Sequence, residues 1–195
     1  TIEPSDCTQT VKWSSSDTSV ISSSSKGELT IVGEGSAIIT VKCGNYSDTI
    51  TVTVVDPVVK VNVEKGASWF LSNGIPGFGG NDARAFAYIG SAPPLVAADS
   101  SYAYGVPLKK GIKYNTELNA ASGCYYGLQI YSSVSKTRVV DSGWQNPGTK
   151  YVYTPTEDGL YLYVNFKYGA AGSTTITDEI LANIKAGFTI TMGDS

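Results

Sequence analysis

An all-β chain of two sandwiches in series is what this sequence predicts, and three observations predict it. The first is strict alternation. In KYVYTPTEDGLYLYVNFK, residues 150–167, Tyr151, Tyr153, Leu160, Leu162, Val164 and Phe166 recur with a period of two on either side of TPTEDG. That period sends one set of side chains to a buried face and the other toward solvent, as in a β-strand. The second is punctuation: 21 Gly and 8 Pro break the chain into short apolar runs, as strands and turns require. The third is the balance of 42% hydrophobic against 16% charged residues, which suits a packed fold rather than a disordered one.

Thr154-Pro155 and Asp158-Gly159 interrupt the central stretch. Pro removes a backbone donor and Asp-Gly accepts positive φ, so the stretch reads as an aromatic-rich antiparallel hairpin at the middle of a sandwich. Its rows of Tyr can serve as core, as a sugar platform, or as both.

At 195 residues the chain is long enough for one large all-β domain or two small ones. A net charge of −3 lacks the basic stripe that nucleic acid requires. No apolar run reaches the ~20 residues of a membrane helix, and Thr1 opens into strand-like sequence rather than a signal peptide. There is no His, so Ser-His-acid and Cys-His catalysis and His-containing metal sites have no residues to build them. Three Cys are too few for a disulfide scaffold or a four-thiolate zinc site. No cofactor is expected.

In residues 1–56, short strands are expected at Val11–Trp13, Val20-Ile21, Leu29–Val32 after the Lys26-Gly27 turn, Ala37–Val41 and Thr49–Val55. The later runs alternate apolar residues with Thr, as a half-buried sheet does. Trp13 is read as core, because one indole can dominate the burial of so small a domain. The phrases PSD, VKWSSSDTSV, GELTIVGEGSAIITV and TITVTVV resemble the bacterial immunoglobulin-like domain, group 2, over roughly residues 3–55. The resemblance implies an immunoglobulin-like sandwich that serves as a spacer or adhesion module in extracellular bacterial proteins and tailed-phage virions, without catalysis. Members usually carry one or two strands ahead of the PSD turn, and only Thr1-Ile2-Glu3 stand there here. The first strand is therefore expected to be missing, in a chain that is part of something longer. In such a sandwich the loops bearing Cys7 and Cys43 lie at one end, which implies a Cys7–Cys43 disulfide; two free thiols are the alternative. Cys124 is expected to be a small buried residue.

Asp56-Pro57 closes this module, and so short a join predicts a stiff connection. Residues 57–195 show about eight strand-like runs with turn signals between them, the count and spacing of a jelly-roll-like sandwich. Gly74, Gly77, Gly79 and Gly80 with Pro76 predict a long glycine-rich loop, and TDEILANIK a helical turn or two. The phrases VPLKKGIKYNTEL, GLQIYSS, SGW, YTPTEDGLYLYVNF and NIKAGFTIT resemble carbohydrate-binding-module-like jelly rolls of bacterial surface proteins and phage fibres, over about residues 84–192. What that resemblance implies is a glycan or cell-surface polysaccharide as partner, virion or capsid proteins or further copies of the chain as others, and a place on the virion or bacterial cell surface.

Sugar recognition needs an aromatic ring to stack on the C–H face of a pyranose and polar groups for its hydroxyls. Trp144, after Asp141-Ser142-Gly143, and Tyr102 and Tyr104, in a Gly/Ser-rich loop, are the aromatic candidates. Asp141, Gln145, Asn146 and Arg84 are the polar ones. For each aromatic, plain packing competes with this role, since Tyr often buries its ring and leaves its hydroxyl wet. Trp69 and Phe70 are neighbours on a strand and must point to opposite faces, as must Tyr125 and Tyr126. Glycoside hydrolysis wants two opposed carboxylates. Here Glu157-Asp158 is explained by a turn and Asp178-Glu179 by a helix start. Gly80-Asn81-Asp82 is only a faint calcium loop. The function expected is thus a non-enzymatic attachment module, with a purely structural module or an accessory module of a glycosidase as alternatives.

Overall fold

Residues 10–80, 82–90 and 102–193 are described by a computed structural model of the chain. The chain divides into two compact units, Thr1–Asp56 and Pro57–Ser195. Both are built from antiparallel strands, so the all-β expectation holds.

In the first unit the strands are β1 (Lys12–Ser15), β2 (Ile21–Ser23), β3 (Leu29–Ile31), β4 (Gly35–Cys43) and β5 (Tyr46–Val54). They form a three-stranded sheet in the order β1-β4-β5 and a two-stranded sheet of β2 with β3. Val20, Ile21, Ala37 and Ile39 make the core, with Trp13, Val52 and Val54 laid against it. Trp13 is half-buried and lies across Gly27, whose φ is +85°. A Cβ there would fall 2.6 Å from the indole, so only glycine fits under the ring. The WSSSD phrase ends β1 and leads into a turn at residues 17–20, where Asp17 Oδ1 accepts from the Ser19 amide at 2.9 Å and its hydroxyl at 2.6 Å. Those bonds hold the Asp17 carboxyl below its usual range, as hydrogen bonds to a charged form do. Cys43 is disulfide-bonded. Its expected partner Cys7 lies outside the described residues, so the Cys7–Cys43 pairing stands as an expectation.

The second unit contains β6 (Asn62–Lys65), β7 (Ser68–Ser72), β8 (Ile75–Gly79), β9 (Arg84–Tyr88), a 3-10 turn (Tyr102–Tyr104), β10 (Val106–Leu108), β11 (Tyr114–Leu118), β12 (Cys124–Ser132), β13 (Arg138–Gln145), β14 (Lys150–Tyr153), β15 (Leu160–Tyr168), α1 (Asp178–Gly187) and β16 (Phe188–Met192). A large sheet runs β13-β12-β15-β9-β6, with β10 also paired to β15, and a small sheet runs β14-β11-β16. Between them Cys124, Tyr126, Leu128 and Ile130 of β12 and Leu160, Leu162, Val164 and Phe166 of β15 meet Tyr114, Leu118, Phe188 and Ile190. Cys124 is free and buried, as the sequence predicts. The Tyr126 hydroxyl crosses this core and donates into a pair of carbonyls, Thr149 O at 2.6 Å and Thr116 O at 3.0 Å. It thereby ties the large sheet to the small one.

Four expectations are corrected. The second unit has eleven strands among the described residues, rather than about eight. The stretch 150–167 is not a hairpin. β14 pairs with β11 in the small sheet, whereas β15 pairs with β12, β9 and β10 in the large one. TPTEDG carries the chain from one sheet to the other, with Pro155 buried and its carbonyl accepting from the Gly111 amide at 2.9 Å. The glycine-rich segment is not a long loop either. Ile75–Gly79 is strand β8, paired with β7 through a turn at Asn73-Gly74 whose φ values are 53° and 77°. Two positive φ values are what a tight hairpin turn requires, and Asn-Gly is its strongest sequence signal. Finally, TDEILANIK begins a helix longer than one or two turns, Asp178–Gly187. Thr177 caps it by accepting from the Ile180 amide at 3.3 Å, and Leu181 and Ile184 bury its inner face. That capping and docking favour a helix that propensity alone would not hold.

On its far side the large sheet meets the β7–β8 hairpin. Ala67, Phe78, Phe86, Tyr88, Tyr131 and Tyr163 form a second core there, flanked by Trp69, Tyr102, Tyr104 and Tyr161. β15 is consequently buried on both faces.

Burial pushes the Tyr126 phenol from its ordinary 10.0 up to about 12, and it raises the phenols of Tyr88, Tyr131, Tyr153 and Tyr163 as well. In the unfolded chain these groups ionise at the ordinary value. Their contribution is therefore complete below it and is lost as pH rises through the folded values. Denaturant unfolding should show stability falling as pH is raised beyond 10.0 toward about 12. Tyr126→Phe should be less stable at neutral pH by about 1–2 kcal/mol and fall less steeply in alkali. Equal slopes for the two proteins would contradict this account.

Candidate functional site

The outer face of the large sheet is only partly covered by the hairpin. Side chains at odd positions of β12 and β15 point to that face, opposite the core residues. Toward one end, Tyr131, Tyr161 and Tyr163 lie in or against the second core. Toward the middle, Gly127 and Gln129 of β12 and Asn165 of β15 border an open recess. The remaining lining is Trp69 from β7 and Asp141, Gly143 and Trp144 from β13, around a volume of about 260 Å³.

A bulge makes this possible. Gly127 pairs with Trp144 and Gln129 with Asp141, so two steps on β12 match three on β13. An extra residue in one strand bends it and re-aims its side chains. Without it, Asp141 and Trp144 would fall on opposite faces of β13; with it, both reach the recess. Gly143 sits in the bulge at φ +63°. The Asp141 carboxylate accepts from the Gly143 amide at 3.0 Å, and the Ser142 hydroxyl accepts from the Leu128 amide at 2.8 Å. The Asp-Ser-Gly turn expected before Trp144 is thus a kink within one continuous strand.

Gly127 forms the floor. A Cβ there would lie 3.2 Å from Gly143 O and 3.3 Å from Trp144 Cε3, so the missing side chain is what lets the indole settle against the sheet. Next to Gly127 across the ladder stands Asn165. It is 7% exposed, and its Oδ1 has no hydrogen-bond partner among the described residues. A buried acceptor left without a donor costs about 1–3 kcal/mol, which argues that something outside the chain completes it. Gln129 is already engaged: its amide nitrogen donates to Asp141 at 3.4 Å and its oxygen accepts from the Tyr131 hydroxyl at 3.1 Å. Asp141 also pairs with Arg138 at 2.7 Å. Trp69 is set edge-on to Phe78 and Tyr163, with ring centroids 5.8 and 5.7 Å away.

Two cations lie against the Trp144 ring, at the border of the recess rather than in its lining. Arg84 Cζ lies 5.2 Å and Lys167 Nζ 4.8 Å from its ring centroid, and Lys167 also lies 5.0 Å from the ring of Tyr125. Such contacts stabilise each by about 0.5–2 kcal/mol and fix the indole, which remains 41% exposed. A turn across residues 169–172 covers the pair: Lys167 Nζ donates to Ala170 O at 2.6 Å, and Arg84 Nη1 donates to Gly172 O. Burial, then the Arg84 charge, lowers the Lys167 pKa, and burial lowers that of Arg84.

Of the residues singled out in the sequence, Trp144 and Asp141 line the recess and Arg84 stacks on Trp144. Gln145 pairs with the core residue Tyr126 and so points to the other face; its amide donates to Ser142 O at 2.6 Å. Asn146 lies past the strand end, where its carbonyl accepts from the Thr149 amide. Tyr102 and Tyr104 are packing residues of the second core rather than part of the lining. The Tyr102 hydroxyl donates toward Gly74 O and Ser132 O at 3.0 and 3.1 Å, and the Tyr104 ring meets Phe78 edge-on. Six further residues belong to the site or its border: Trp69, Gly127, Gln129, Gly143, Asn165 and Lys167. The Asn73-Gly74 turn would have placed Trp69. Asn165 and Lys167 carry a weaker signal, as polar residues inside the most apolar stretch of the chain.

Asn165→Leu, which removes the unpartnered acceptor at similar volume, should stabilise the free protein by about 1 kcal/mol, measured by denaturant unfolding. A loss of stability would mean that the amide is satisfied within the fold.

No protein-family model matches the chain, and a search of curated proteins finds no match.

Proposed function

We propose that the chain is a non-catalytic attachment module. Its second unit takes one ring of a glycan in the recess between Trp69 and Trp144, and its first unit serves as the spacer. The observation that supports this most is the unpartnered Asn165 acceptor in the floor of a recess bordered by two indoles. Indoles offer flat C–H-binding faces, and a sugar hydroxyl is the kind of donor Asn165 lacks. The volume is below the about 300–1,000 Å³ of drug-sized pockets, which suits a single ring of a longer glycan. Asp141, the one carboxylate in the lining, is held by Arg138 and a backbone amide as an acceptor. Glycoside hydrolysis would ask for a second, opposed acid.

The host we favour is a tailed-phage virion protein (fibre, decoration or tail), on the two family resemblances read from the sequence. A bacterial cell-surface adhesin or an accessory module of a glycosidase would present the same recess. A purely structural, self-associating or capsid-decorating module is the reading from another class. It draws support from Ile31, Val32 and Ile50 of the first unit, which are 70%, 59% and 62% exposed, since exposed apolar residues favour association.

A glycan-array screen of the intact chain tests the proposal. Specific binding is expected, weakened about tenfold or more in Trp144→Ala, the equivalent of about 1.4 kcal/mol. A blank array from folded protein whose mass rises with concentration would replace the attachment reading with the structural one.

A further inference from the structure

We infer that the sugar this recess takes is acidic: a pyranose whose carboxylate is held by Arg84 and Lys167 while a neighbouring hydroxyl donates to Asn165 Oδ1. This rests on the glycan reading and narrows it to a ligand class.

Arg84 and Lys167 are direct cross-strand partners on β9 and β15, and both lie against Trp144. Like charges directly opposite each other destabilise a sheet, and burial makes the repulsion stronger by lowering the local dielectric. Lys167 is 8% exposed, and an ammonium is rarely buried so far without an anion. Yet among the described residues no carboxylate pairs with either cation. Asp141, the acid in the recess, is occupied by Arg138. The partners both cations do have are carbonyls of the covering turn, together with Ala83 O for Arg84. Those bonds use Nη1 of Arg84 and one of three N–H donors of Lys167, so the Nε–Nη2 edge and the other ammonium donors make no hydrogen bond among the described residues; the two cations lie beside Trp144 at the border of the recess, outside its lining. A planar guanidinium edge matches a carboxylate in a two-bond fork.

Asn165 lies two residues before Lys167 on the same face of β15, beside Gly127 in the recess floor. The chain therefore presents an acceptor without a donor next to two cations without an anion. A hydroxyl-bearing ring with a carboxylate supplies both at once, whereas a neutral sugar supplies only the first.

The test titrates the intact chain with oligogalacturonate, oligomannuronate and oligoglucuronate, each beside its carboxyl-reduced neutral counterpart, following Trp fluorescence and calorimetry. At least one acidic form should bind about tenfold or more tightly than its neutral counterpart, with affinity falling as salt is added. Arg84→Gln, shown folded by circular dichroism, should lose most of that preference, the ratio of acidic to neutral affinity falling toward one. The wild-type comparison stands by itself if the variant does not fold. Equal binding of acidic and neutral forms, or array hits confined to neutral sugars, would overturn the acidic class and leave glycan binding intact. Binding to none of these oligosaccharides would also overturn it, and only a blank array as well would remove the glycan reading.

Discussion

Strand β15 is buried on both faces, and the rest of the second unit follows from that constraint. A strand with solvent on one side alternates in polarity. β15 instead carries Leu160, Leu162, Val164 and Phe166 into the core between the sheets, and Tyr161 and Tyr163 into the packing beneath the hairpin. Two separate layers must therefore close over it. The small sheet closes one side. The other is closed by the β7–β8 hairpin, which buries Phe78 against Phe86 at 4.8 Å between centroids. The hairpin does not cover the whole face, and the recess between Trp69 and Trp144 is what it leaves open.

The residues around that opening are arranged at a cost to the fold. Gly127 gives up a side chain that would pack, the bulge at Gly143 interrupts a ladder, Asn165 buries an acceptor without a donor, and Arg84 and Lys167 are set against each other. Each departs from what a stable sheet prefers. Their clustering in one place is the pattern expected where a binding site, rather than stability, has chosen the residues.

Much of the architecture can be read from residue order. In the first unit each described strand overlaps a run that alternation and turn residues mark, with ends shifted by up to three residues, and Asp141, Gly143 and Trp144 of one short phrase supply part of the recess. The parts that escape have physical causes. Alternation says which face a side chain takes but not which strand lies beside it, so Lys150–Tyr153 and Leu160–Tyr168 read as partners although they belong to opposite sheets. Pro76 and four glycines argue for a loop at 74–80, yet small residues are what allow a hairpin to lie close on a sheet. Tyr102 and Tyr104 read as exposed because their neighbours are Gly and Ser; their rings are held by contacts far away in sequence. Asn165 and Lys167 fall in the phase that should face water; the Trp144 indole set against Lys167 comes from a distant strand, and the turn at 169–172 folds back over it from just downstream.

The central claim is that the outer face of the large sheet, between Trp69 and Trp144, is where a ligand enters. The three indole N–H signals test it directly, since Trp13 belongs to the other unit and serves as an internal reference. In a ¹⁵N-labelled sample titrated with whichever glycan the array selects, the Trp69 and Trp144 indole signals and the Asn165 side-chain amide should shift together, with Trp13 unmoved. Binding that shifts Trp13, or that leaves Asn165 and both recess indoles in place, would contradict the account and put the site elsewhere on the chain.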